Sequence, residues 1–268
     1  LGPVLSKKDV AELPIQLSAE ERFHYVRARE MVEMNLGDNA RLELRQVEKT
    51  APKNLSTILW LSTLYNRAGI YSESFRLLTL FKDLMGGKKE KELPVRFWKS
   101  LYPPAYAESI RFSSRNHHVD PFLVRGVIHQ ESMFDSKALS RAGARGLMQL
   151  MPETGRRLAL SLAEQKPFVP DLLFDPEVNI KLGVRYLSEL LKNTGNNPAH
   201  VLISYNAGPD VLKKWLQQFQ NLADEDEFLE SIPYQETRLY VRRVLRNLGI
   251  YRVLYPDGAE DRVRNDPF

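Results

Sequence analysis

The 268-residue chain contains no cysteine. That excludes disulfide scaffolds, thiolate nucleophiles, thiolate zinc sites and iron–sulfur clusters together. It leaves the compartment open, because a chain of this length builds a core without covalent staples. No run of about eighteen apolar residues occurs, so no integral membrane span is predicted. A concentrated basic stripe is missing as well. The net charge is +4, with 17 basic and 13 acidic residues before position 101 and 21 of each after it. A nucleic-acid partner is therefore not predicted, although the small surplus favours an anionic surface at low salt. Histidine is scarce, and the five present never take the HExxH spacing, so neither a metal site nor a cofactor is expected. Alternating apolar and polar runs are also lacking, which makes the predicted class mainly α. What remains is ordinary globular composition, 43% hydrophobic and 27% charged, which excludes disorder and low complexity.

Position 1 is Leu and no signal-peptide pattern follows, so the chain reads as processed or cut from something longer. Residues 1–100 read as helical hairpins. Ser18 and Glu21 form a capping box for a helix reaching about Asn35, which Gly37 breaks. Asp38 caps a second helix ending before Pro52. Ile58 to Tyr65 marks a third helix stopping near Gly69, and Phe75 to Leu84 a fourth stopping at Gly86-Gly87. Alternate helices start about 36 and about 33 residues apart, a period that suits stacked helix pairs of a solenoid. The charged stretch from Gly86 to Glu92 reads as a linker, and Pro103-Pro104 is a second break. The predicted domains are therefore 1–100 and 101–268. In the second, Asp120-Pro121, Asp175-Pro176 and Asn197-Pro198 each supply an N-cap followed by a proline at the first helical position. The glycine-bearing segment 140–150 has no helical period and leaves room for a small ribbon.

Chemistry can be sought first on the helix that Pro121 opens. Val124, Val127, Ile128 and Glu131 fall at i, i+3, i+4 and i+7, so the glutamate points where a core residue would point. It also sits in the last turn, beside the negative helix end. Burial and dipole both disfavour the carboxylate, which suits a general acid. The other reading is a glutamate at a frayed helix end turned to water. Three further segments bear on that choice: Gly143 to Gln149, Ser204 to Gly208, and Ile232 to Arg238. Alone, they read as a turn, a helix end with a buried tyrosine, and a capped helix start. The adjacent His117-His118 pair reads as surface.

In this order and spacing, Glu131-Ser132, Gly146 to Gln149, Tyr205 to Gly208 and Ile232 to Arg238 resemble the soluble lytic murein transglycosylases. These are lysozyme-like enzymes that cut the glycan strands of bacterial peptidoglycan. The resemblance covers about residues 100–255. It implies a lysozyme-like, goose-type-like catalytic domain preceded by α-helical hairpins. Arg27 to Asn35 and Ala40 to Glu48 resemble the last turns of the family's helical superhelix. Two departures stand out: Ser204 occupies a position usually alanine in the family, and the superhelix here is far shorter than a full ring.

By this resemblance Glu131 is the single catalytic acid and base. Ser140, Gln149, Met151, Tyr205 and Glu236 match positions lining the sugar-binding groove, Asn206 and Tyr234 shape it, and Ser132 orients the helix end. The implied partner is a peptidoglycan glycan strand, and the implied location is the bacterial periplasm or cell envelope. The implied reaction cleaves the β-1,4 bond between N-acetylmuramic acid and N-acetylglucosamine without water, leaving 1,6-anhydro-muramic ends. Ordinary glycosidases use two carboxylates, and Asp135, though close in sequence, has no matched role. Two other readings stay open at this level: a hydrolytic muramidase or chitinase on the same fold, and a non-catalytic helical module that binds glycan or protein.

Overall fold

The structure is a computed structural model describing residues 16–85, 92–160, 167–222 and 224–256. The chain divides into two compact units, Leu1–Pro103 and Pro104–Phe268. Among the described residues the regular structure is helical, and no named strand occurs. No helix among them is long and apolar enough to cross a membrane.

The first unit opens with α1 (Ala19–Glu33). Its capping box is reciprocal: Ser18 N–H donates to Glu21 Oε2 at 2.7 Å and Glu21 N–H to Ser18 Oγ at 3.2 Å. Helices α2 (Gly37–Thr50), α3 (Leu55–Arg67), α4 (Tyr71–Leu84) and α5 (Val95–Leu101) follow. The boundary at Gly37 differs from the sequence reading. Left-handed Asn35 makes the turn, Gly37 is the first residue of α2, and Asp38 lies in its first turn rather than capping it. A Cβ on Gly37 would come within 2.9 Å of the Ala68 carbonyl oxygen, so glycine serves a close approach between hairpins. The proposed linker from Gly86 lies outside the described residues, apart from Glu92.

A partly buried ionic network joins α2, α3 and α4. Arg76 places Nη2 2.7 Å from both Glu48 oxygens and Nε 2.8 Å from Glu73 Oε2. Arg45 takes the other Glu73 oxygen, and Tyr65 O–H donates to Glu48 at 3.0 Å. Burial disfavours the Glu73 charge, yet the two arginines hold its carboxyl below the usual range. Removing both arginines would strand the buried Glu73 charge, whereas apolar burial of Leu44, Leu61 and Leu78 drives the stacking itself.

The second unit contains α6 (Ala107–His117), α7 (Pro121–Ser132), α8 (Pro152–Leu160), a 3-10 turn at Pro170–Phe174, α9 (Pro176–Asn193), α10 (Pro198–Ala207), α11 (Pro209–Gln218), α12 (Glu225–Ser231) and α13 (Gln235–Leu254). The Asp-Pro and Asn-Pro starts cap as the sequence predicts. Asp120 accepts from Phe122 N–H, Asp175 from Glu177 and Val178, and Asn197 from His200. Helix α7 lies at the centre, with Val124, Val127 and Ile128 fully buried. It packs along α13, and Gly126 lets the two backbones meet: a Cβ there would sit 3.1 Å from Val244 O and 3.3 Å from Leu248 N. The segment 139–150 forms two isolated antiparallel bridges, Leu139 with Arg145 and Arg145 with Leu150, rather than a ribbon. His118 is exposed, but His117 is half-buried, and its carbonyl accepts from Ser188 Oγ at 2.9 Å. Only one of the pair is therefore a surface residue.

Candidate active site

Glu131 ends the apolar face of α7, where residues Met133 and Phe134, both left-handed, turn the chain sharply away. The side chain is packed closely but keeps an exposed edge. Tyr240, one of the buried residues of α13, donates its O–H to Glu131 Oε1 at 2.8 Å. Burial pushes the Glu131 carboxyl up to about 7. The Tyr240 hydrogen bond opposes that rise by favouring the carboxylate, and the Glu236 charge adds to it. Such a group gives up and takes back a proton near neutral pH.

The loop after α7 is held against this acid from several sides. Ser132 Oγ donates to Leu147 O at 2.8 Å, fixing the helix end to the loop. Ser140 closes a turn, its Oγ accepting from Ala144 N–H at 2.9 Å, with Gly143 left-handed at its tip. Gln149 is itself left-handed, and its Nε2 donates to Ala138 O at 3.1 Å and Gly146 O at 2.9 Å. Underneath lies Asn179, fully buried on α9. It accepts from Met148 N–H at 2.8 Å and donates to Arg145 O at 2.9 Å and Leu173 O at 2.7 Å. Gly146 sits so close that any Cβ would overlap Leu173 O and Asn179 Nδ2, and Gly183 leaves room for the Met148 side chain.

Tyr205 stands at the end of α10 and donates its O–H to Met148 O at 2.7 Å. Burial raises its pKa well above the ordinary value, and the charges of Glu131 and Tyr186 add to that rise. Its neighbour Asn206 accepts from Thr237 Oγ1 at 2.7 Å, tying α10 to the start of α13. Tyr234 caps α13 exposed, edge-on to Trp215 with ring centres 5.1 Å apart. Glu236 is exposed in the first turn of α13, and Met151 is exposed just before α8. The structure thus gathers Tyr205 and Glu236 electrostatically around Glu131 and joins Ser140 and Gln149 in one loop. Met151 and Tyr234 remain at the surface. Asp135 is occupied in a turn, accepting from Lys137 N–H. Among the described residues no group of three or more His, Asp or Glu is placed to hold a metal ion.

Residues 108–228 match the Transglycosylase SLT domain. Over 251 residues it is 31% identical to the soluble lytic murein transglycosylase of Escherichia coli K12, which takes in 94% of this chain and 37% of that protein. The Salmonella typhimurium soluble lytic murein transglycosylase is 29% identical over 246 residues, covering 92% of this chain and 36% of its own. The fold is shared as well. The crystal structure of the 70-kDa soluble lytic transglycosylase from E. coli superposes with a TM-score of 0.75 at 28% identity, over 91% of this chain and 38% of that one. A Pseudomonas aeruginosa lytic transglycosylase Slt, solved as an inactive glutamate-to-glutamine mutant, gives 0.65 at 25% identity, over 91% and 38%. The chain is thus homologous to soluble lytic murein transglycosylases along most of its length and shares their lysozyme-like and superhelical fold, while spanning a little over a third of these relatives.

Two supports of the candidate site, Tyr240 and Asn179, were not legible from sequence motifs. Tyr240 follows Glu236 by four residues, so both lie on one face of α13, and that spacing was the available signal. Asn179 sits in a helix's first turn among apolar residues, a weaker cue, because capping explains such a residue equally well.

Proposed function

We propose that this chain cleaves the β-1,4 bond between N-acetylmuramic acid and N-acetylglucosamine in peptidoglycan by lytic transglycosylation. The observation that carries the reading is Glu131: one partly buried carboxyl, raised to about 7 and held at Oε1 by the Tyr240 hydroxyl. With Oε1 accepting from Tyr240, the acid proton belongs on Oε2. Glu131 donates that proton to the bridging oxygen as the bond from C1 breaks. The substrate's own N-acetyl group then stabilises the developing positive charge, as in other single-carboxylate glycosidases. Glu131, now a carboxylate, takes the proton from the C6 hydroxyl as its oxygen bonds to C1. The product is a 1,6-anhydro end, water is not consumed, and the reaction is that of a lyase.

In this reading Ser140, Gln149, Met151, Tyr205, Asn206, Tyr234 and Glu236 line or shape the sugar groove. Residues 101–268 form the catalytic domain, residues 1–100 are the end of a helical superhelix, and the protein works in a bacterial periplasm or cell envelope. Digestion of purified murein sacculi followed by mass spectrometry tests the chemistry. Anhydro ends are expected. Reducing ends would replace the proposal with hydrolysis, and an absence of soluble products would replace it with binding alone.

A further inference from the structure

Beyond Tyr205 the aromatic surface continues. The Tyr186 ring centre, on α9, lies 5.4 Å from that of Tyr205, with the planes tilted by 44°. Arg157, on α8, places its guanidinium carbon 5.8 Å from the Tyr186 ring centre. A line therefore runs from the Tyr205 ring to a second ring and then to a cation. Tyr186 is half-buried, so its ring keeps an open part, and the Arg157 side chain is 54% exposed. The local charge is positive. Glu189 holds Arg157 at 2.8 Å and Arg185 at 3.5 Å, one carboxylate between two guanidiniums.

An aromatic ring beside a guanidinium fits a ligand with an apolar sugar face next to an anionic substituent. A plain N-acetylglucosamine polymer has no such substituent. A muramic acid residue does, because its lactyl group, or the peptide attached there, bears a carboxylate. We propose that Tyr186 and Arg157 form a further subsite adjoining Tyr205, the ring taking a sugar face and the guanidinium taking the carboxylate of a muramyl substituent. This rests on the peptidoglycan reading above and gives it a direction: the Arg157 end of the groove selects anionic glycan over neutral glycan. The exchange of Glu189 for the ligand carboxylate keeps Arg157 paired throughout, and Arg185 remains to hold Glu189.

Binding is measured by titration calorimetry in the Glu131→Gln background, which prevents turnover, with two probes. One is a neutral β-1,4-linked N-acetylglucosamine tetrasaccharide. The other is a tetrasaccharide alternating N-acetylglucosamine with N-acetylmuramic acid bearing free lactyl carboxylates. Adding Arg157→Gln is expected to weaken the anionic probe about three- to fivefold, the range of an exposed ion pair. It should also remove the salt dependence of that probe and leave the neutral probe unchanged. Arg157→Lys should restore part of the loss. Tyr186→Leu should weaken both probes equally. An equal loss on both probes in Arg157→Gln, or none on either, overturns the subsite while leaving the groove intact. If the parent binds neither probe, the peptidoglycan reading falls first and the subsite with it.

Discussion

The hydroxyl of Tyr240 donates to Glu131 Oε1 across 2.8 Å, joining residues 109 apart in sequence. It couples the end of α7 to α13 at the point where proton transfer is proposed, and it acts against burial in setting the acid's affinity for its proton.

Glu131→Gln keeps the shape of the side chain and the acceptor for Tyr240 but removes the transferable proton. Turnover of sacculi should fall by about two or more orders of magnitude, as for loss of a general acid. The unfolding midpoint should not fall, since a neutral amide replaces a carboxyl whose charge is disfavoured there. Parental clearing rates in a turbidity assay would end the assignment.

The raised affinity also links stability to pH. The folded value of about 7 lies above the ordinary 4.5, so the folded state binds this proton more tightly. Its stabilising effect is complete below about pH 4.5 and is lost as pH rises through about 7, a change on the order of 3 kcal/mol. Urea unfolding of the parent and of Glu131→Gln at pH 4.5 and pH 8 should show the glutamine variant gaining relative stability at the higher pH. A constant difference would mean that the carboxyl is not raised.

Tyr240→Phe removes the hydrogen bond that favours the carboxylate. The Glu131 pKa should rise further, moving the alkaline limb of kcat/KM upward while the ring still fills its buried place. An unchanged limb with slower turnover would show that the hydroxyl serves orientation alone.

At Tyr205 the hydroxyl is bonded to Met148 O, so its first partner is the protein. Tyr205→Phe should leave that carbonyl unpaired and cost about 1 kcal/mol in unfolding free energy. Tyr205→Ala also removes the ring next to Tyr186 and should abolish measurable binding of glycan fragments. Parental binding by both variants would make Tyr205 a packing residue.

Gly146→Ala should prevent folding of the second unit or cost about 3 kcal/mol or more. The new methyl would meet both a carbonyl and the Asn179 amide, at a left-handed residue. Normal expression with a parental circular-dichroism melt would show that the loop is more tolerant than its packing suggests.

Much of this architecture was legible because its signals are local. The Ser18–Glu21 box, the three Asx-Pro helix starts and the apolar face ending at Glu131 each depend on residues a few positions apart, and each appears where expected. Less accessible was anything set by distant neighbours. Gly37 looks like a breaker in sequence, but its place inside α2 is decided by the Ala68 carbonyl 31 residues on. The segment 140–150 left room for a ribbon because it lacks helical period, whereas hydrogen bonds from Asn179 and Gln149 hold it as a loop with only isolated bridges. The motif residues of the candidate site were found by order and spacing. Tyr240 and Asn179 were not, since what they do is visible only once α13 and α9 have been folded against the loop and α7.

The crossing at Gly126 ties mechanics to acidity. Opposite it on α13 stand Val244 and Leu248, and one turn before Val244 is Tyr240, whose partner Glu131 lies five residues after Gly126 on α7. The close helix approach at the glycine and the Tyr240–Glu131 hydrogen bond therefore belong to one α7–α13 contact. A methyl group added at this glycine would push apart the same two helices whose contact brings the Tyr240 hydroxyl to the Glu131 carboxyl.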